Sequence, residues 1–119
     1  MRLVLASTFS PNMLPLKVGS LADITIERVD LETARELVEL NKGALYSVVG
    51  HESTARLMSE LFGIKVPVNR VTYKWKKGDI ILVCTLSFRP PEGKVYTYHE
   101  LKQLYEEGKI AFYVIEVLP

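Results

Sequence analysis

The chain has 119 residues, 48% hydrophobic and 24% charged, with a formal net charge of +1. That length allows one domain, residues 1–119, with a real core and excludes two; the balanced charge excludes a global basic field of the kind that drives non-specific duplex binding. A lone cysteine, Cys84, excludes an intramolecular disulfide and argues against a Cys-based zinc site, while the absence of any ~18-residue apolar window or signal-like leader points to a cytoplasmic protein with no membrane partner.

RLVLAS (2–7) and ADITIERV (22–29) read as short strands, the second alternating Ile24 and Ile26 against Thr25 and Glu27. Between them lies a hydroxyl-rich loop, STFSPNMLP. Asp30 caps a helical pattern in which Leu31, Ala34, Leu37 and Val38 share a face, ending near Asn41 to Gly43. ALYSVV (44–49) is the next strand, and after Gly50 and His51 the residues Ala55, Met58, Leu61 and Phe62 give a second amphipathic helix that Gly63 stops. RVTYKW (70–75) and DIILVCTLSF (79–88) flank Lys76-Lys77-Gly78 and predict a hairpin, the second run being apolar enough for a central strand covered on both faces. Thr97 and Glu100 form a capping box that opens a third helix through Tyr105, with Gly108 closing it, and IAFYVIEV (110–117) is a last strand. The expected fold is α/β (α+β), a single domain with a mixed sheet of about five strands packed by helices.

Ligands of open sheets gather beyond strand ends, and three such junctions are polar here. The first holds Ser7, Thr8, Ser10 and Asn12; the second is Gly50-His51-Glu52-Ser53-Thr54; the third is Arg89-Pro90-Pro91-Glu92-Gly93-Lys94. At the second, first-turn N–H groups with the Ser53 and Thr54 hydroxyls suit a phosphate, and Gly50 lets it approach; the competing reading is helix capping by Ser53 or Thr54 with His51 facing solvent. At the third, the prolines stiffen the loop and fix Arg89, suited to bidentate phosphate contact, and Glu92, which can orient it or bind a hydroxyl; the competing reading is a surface ion pair. His99 reads as a solvated helix residue, Cys84 as core, the aromatics at 111–113 as core or interface rather than a base-stacking platform, and the lysines around Trp75 as solubility at a turn tip rather than a nucleic-acid platform.

Taken together, FSPNML (9–14), GHEST (50–54), NRV (69–71), FRPPEGKV (88–95) and LYEEGKIAFYVIEV (104–117), in that order, resemble the type III anti-CRISPR ring nucleases, small proteins of archaeal viruses with bacterial and proviral relatives. The resemblance implies a homodimer that binds one cyclic tetra-adenylate ring across its subunit interface and cuts it to linear di-adenylate; the lack of a carboxylate or His/Cys cluster with ligand spacing leads to the expectation that no metal or other cofactor is needed. It places the catalytic histidine on His51, the phosphate-site arginine on Arg89 and its glutamate on Glu92, with substrate contacts on Ser10, Asn12 and Arg70. Three positions depart from the viral pattern: Ser7 stands where Asn is common, Phe88 where Gln is common, and Pro90-Pro91 where a Leu-Glu pair is common. The alternative is a module of the same fold that sequesters a cyclic nucleotide or binds DNA as a viral regulator without cutting; for DNA, the charge balance supplies no basic helix or arm.

Overall fold

The computed structural model describes residues 1–119. Its five strands are β1 (Arg2–Ala6), β2 (Ile24–Val29), β3 (Leu45–Ser47), β4 (Asp79–Leu86) and β5 (Ile110–Val117), and its helices are α1 (Leu31–Leu40), α2 (Glu52–Phe62) and α3 (Tyr98–Glu106). The strands form one sheet in the order β2-β5-β4-β1-β3. β1 pairs in parallel with both β3 and β4, whereas β5 is antiparallel to β4 and β2. The mixed α+β sheet expected from the sequence is therefore present.

Alternation along the strands divides the core in two. Leu3, Leu5, Leu82, Cys84, Ile110 and Phe112 face the helices, which contribute Leu31, Ala34, Val38, Ala55, Met58, Leu61, Phe62 and Leu101 to the same cluster. Val4, Ala6, Ile81, Val83 and Ile115 face the opposite way, under Tyr73, Phe9, Met13 and Trp75. All helical core residues thus lie on one face, while loop aromatics cover part of the other. β4 is covered on both, which accounts for its unbroken apolar run. Burial pushes the Cys84 thiol up to about 12, so it stays a neutral core side chain.

The helix ends follow local chemistry. Asp30 accepts the Thr33 N–H at 2.7 Å, and Thr97 and Glu100 form the reciprocal capping box. Gly63 ends α2 in the left-handed conformation, with its N–H on the Ser59 carbonyl. Residues 70–75 correct the sequence reading: they form no strand and no hairpin with β4. Both sides of β4 are taken, by β1 and β5, so the Val71-Tyr73-Trp75 alternation has no ladder to join. Tyr73 instead reaches Asp79 with its hydroxyl at 2.7 Å, and the Trp75 indole N–H donates to the Asp79 carbonyl at 2.9 Å.

Candidate functional site at the strand C-termini

Because β1, β3 and β4 run parallel, their C-terminal ends deliver Ser7, the Gly50-His51 turn and the Phe88-Arg89 loop to one end of the sheet. There Ser7, His51, Phe88 and Arg89 line a cleft of about 960 Å³, together with Glu52, Ser53, Thr54, Arg56, Arg70, Pro90, Pro91, Glu92, Gly93 and Lys94, floored by Cys84 and Leu86; Gly50 stays outside the lining. Two of the three polar junctions read from the sequence meet there almost whole.

His51 is itself the N-cap residue of α2, with extended φ −118° and ψ 130° and no side-chain cap bond. The first intrahelical bond runs from the Ala55 N–H to the His51 carbonyl at 2.9 Å, so the N–H groups of Glu52, Ser53 and Thr54 have no intrahelical acceptor. Capping by Ser53 or Thr54 is thereby corrected: residues inside the first turn do not occupy the cap geometry, and the cap position carries an exposed imidazole. Positive helix-end potential and free N–H donors converge on the space beside that ring.

Across the cleft, Phe88 packs edge-on to Tyr96 with ring centroids 6.4 Å apart, pinning both ends of the intervening loop. Within it, the Lys94 N–H returns to the Pro91 carbonyl at 3.2 Å, and Gly93 supplies φ +78°; Glu92 therefore sits at the tip of a tight turn. The Arg89–Glu92 surface ion pair considered above does not form; the ion pairs of the chain are Arg2–Asp79, Lys42–Glu39, Arg56–Glu52, Lys94–Glu100 and Lys109–Glu107. Arg89 is exposed and free to meet a ligand. Arg70 donates from Nε to the Gly50 carbonyl at 2.6 Å, which leaves its terminal nitrogens for the cleft.

Ser10 and Asn12 lie elsewhere. They bond to each other through their side chains, and Lys74 Nζ donates to the Asn12 carbonyl; neither lines the cleft of its own chain. Ser7 does. Sequence reasoning missed Arg56 as a cleft residue and gave Glu52 and Lys94 no role beyond their place in the two junctions; the i,i+4 spacing of Glu52 and Arg56, which bond at 3.2 Å, was the available signal. No three His, Cys, Asp or Glu side chains converge as a metal-ligand set.

Comparison with known proteins matches residues 3–114 to the STIV B116-like family. The chain belongs to that family. Its fold superposes on B116 of Sulfolobus turreted icosahedral virus with a TM-score of 0.84 and 37% identity, covering 97% of this chain and 98% of that one. Protein 26 of Sulfolobus islandicus filamentous virus is 38% identical over 92 residues, 76% of each chain. A bacterial relative, YddF of Bacillus subtilis, is 28% identical over 89 residues, 75% of this chain and 79% of its own. Proteins similar to this chain thus occur in Sulfolobus viruses and in a bacterium.

Proposed function

We propose that this B116-like protein is a metal-independent ring nuclease that opens cyclic tetra-adenylate, the second messenger of type III CRISPR defence, to linear di-adenylate. The observation that carries the reading is the placement of an exposed histidine at the uncapped N-terminus of α2, in one cleft with Arg89 and Glu92. An RNA-type phosphodiester supplies its own nucleophile: the 2′-hydroxyl gives up its proton to solvent as its oxygen bonds to the adjacent phosphorus, the bond from phosphorus to the 5′-oxygen breaks to leave a 2′,3′-cyclic phosphate, and the departing 5′-oxygen takes a proton. What the protein must add is geometry, charge for the phosphorane and the proton.

His51 is assigned the proton, a task suited to an imidazole because histidine exchanges protons near neutral pH. The free N–H groups of α2, the Ser53 and Thr54 side chains and Arg89 are assigned the phosphate charge, with Arg70 on the cleft wall, held there by its bond to Gly50. Ser7, Ser10, Asn12 and Glu92 are the groups available to ribose hydroxyls. Because Ser10 and Asn12 lie outside the cleft of their own chain, the reading places them against a ring bound across the two-fold axis of a homodimer, each half of the ring meeting both copies.

Purified protein incubated with cyclic oligoadenylates of different ring size, with and without EDTA, tests this. The expected result is conversion of the four-membered ring to two-nucleotide products at a rate unaffected by chelator. Tight ring binding with no product would replace cleavage by sequestration. Loss of activity with EDTA and its return with magnesium or manganese would overturn the metal-independent chemistry.

A further inference from the structure

β3 is an edge strand, so the carbonyls on its outer side need partners from outside the sheet. The segment from Val66 to Arg70 supplies them without being a strand. The Ser47 hydroxyl donates to the Pro67 carbonyl at 2.6 Å and accepts the Val49 N–H at 3.2 Å. Asn69 then makes two bonds to the same edge: its side-chain Nδ2 donates to the Ser47 carbonyl at 2.8 Å, and its backbone N–H donates to the Val49 carbonyl at 2.8 Å. Residues 47 and 49 point the same way along an extended chain, so one carboxamide and one peptide N–H reproduce the two donors of a pairing strand. The next residue, Arg70, places its Nε on the carbonyl of Gly50. On the other side, the Val66 N–H donates to the Ser59 hydroxyl of α2 at 2.8 Å. The segment therefore fastens β3 to α2, the two elements whose junction is His51.

We propose that Asn69 is a positioning residue for His51: its paired donors fix the register in which Arg70 grips the Gly50 carbonyl, and with it the peptide that leads into the histidine. An Asp at this position has the same length but no side-chain donor, and Ala has neither side-chain donor nor reach; both keep only the peptide N–H of the pair. Neither change touches the cleft lining, which Asn69 does not join. The consequence for catalysis rests on the ring-cleavage reading above; the consequence for the turn does not.

The test uses the full chain and the variants Asn69→Ala and Asn69→Asp. In the wild type, NMR should find slow solvent exchange for the Asn69 side-chain amide and the Arg70 Nε–H; fast exchange of both would overturn the proposal without any variant. In either variant that folds, Arg70 Nε–H exchange should accelerate and the amide resonances of residues 50–54 should move. The kcat on cyclic tetra-adenylate should fall by a factor on the order of 10–10², the scale of a catalytic group displaced by about 1 Å, with KM changed less. A lowered melting temperature with wild-type exchange at Arg70, wild-type resonances at 50–54 and wild-type kcat would reduce Asn69 to a stabilising residue and defeat the proposal. If the wild type cuts no ring while the NMR changes occur as expected, the ring-cleavage reading fails and the positioning of the turn stands.

Discussion

The two ends of the parallel strands treat charge in opposite ways. Where β1 and β4 begin, Arg2 binds Asp79 through two bonds of 3.0 and 2.9 Å, and the same carboxylate accepts the Tyr73 hydroxyl and the Lys76 N–H. Burial alone would raise the Asp79 carboxyl, but the bonds from Arg2, Tyr73 and Lys76 outweigh it and hold the group below the usual carboxylate range. Burial and the bond to Asp79 together raise the Tyr73 phenol, keeping it a neutral donor. At the far end, His51 caps α2 without a side-chain bond, and neither Arg89 nor Glu92 joins an ion pair. A closed network anchors the sheet at one end; at the other, Glu52 pairs with Arg56 and Lys94 with Glu100, while His51, Arg89 and Glu92 have no side-chain partner. The contrast separates polar groups that stabilise the fold from those that do not, and it does so before any chemistry is assumed.

That division is open to mutation. Removing Arg2 leaves a carboxylate buried to 4% side-chain exposure, so Arg2→Met should cost about 3 kcal/mol, at the lower end for breaking a buried pair, as read by urea denaturation. An unchanged midpoint would mean that the Asp79 end is not the anchor. Arg89→Ala should behave oppositely: stability unchanged, and ring affinity and cleavage both reduced by about 2 kcal/mol, or ~30-fold, since a charged contact to phosphate is present in ground and transition states alike. Helix caps sharpen the comparison at smaller scale. Thr97→Ala removes a capping bond and should cost about 1 kcal/mol, whereas Ser53→Ala at the uncapped helix should stay within about 0.5 kcal/mol; equal losses would mean that Ser53 is a structural cap after all. The smallest effect is on pH. Because Asp79 is held below its ordinary value of 3.8, its contribution is complete above about that pH and is lost as the pH falls through the lower folded value. The melting temperature of the wild type should therefore drop below about pH 4 more steeply than that of Arg2→Met.

Local signals carried most of the fold and only part of the site. Asp30, Thr97 with Glu100, and Gly63 announce helix ends through bonds spanning a few residues, and the structure keeps each of them. The hairpin failed because strand alternation at 70–75 records only that Tyr73 and Trp75 have something to cover. What they cover is set by contacts with β4 and with the loop after β1, where the Trp75 N–H meets the Met13 carbonyl. The Arg2–Asp79 pair spans 77 positions, and nothing near either residue predicts the other. At the site, the glycine before His51 and the prolines after Arg89 marked turns that can present side chains, and the parallel strands bring both turns together. Ser10 and Asn12 were grouped with them by position after β1, but the chain folds back there across the second sheet face, toward Lys74 and Trp75. Asn69 was legible only as a neighbour of Arg70, since its role depends on the free edge of β3.

The central claim, that an uncapped helix entrance holds a phosphodiester while His51 protonates the leaving oxygen, is tested most directly by measuring ring binding and single-turnover cleavage side by side for wild type and His51→Ala. Binding of cyclic tetra-adenylate should be nearly the same for both, because the N–H groups of α2 and Arg89 remain. Cleavage should slow by a factor on the order of 10² or more, as expected for loss of a general acid. Cleavage by His51→Ala at the wild-type rate would contradict the account, whatever the affinity.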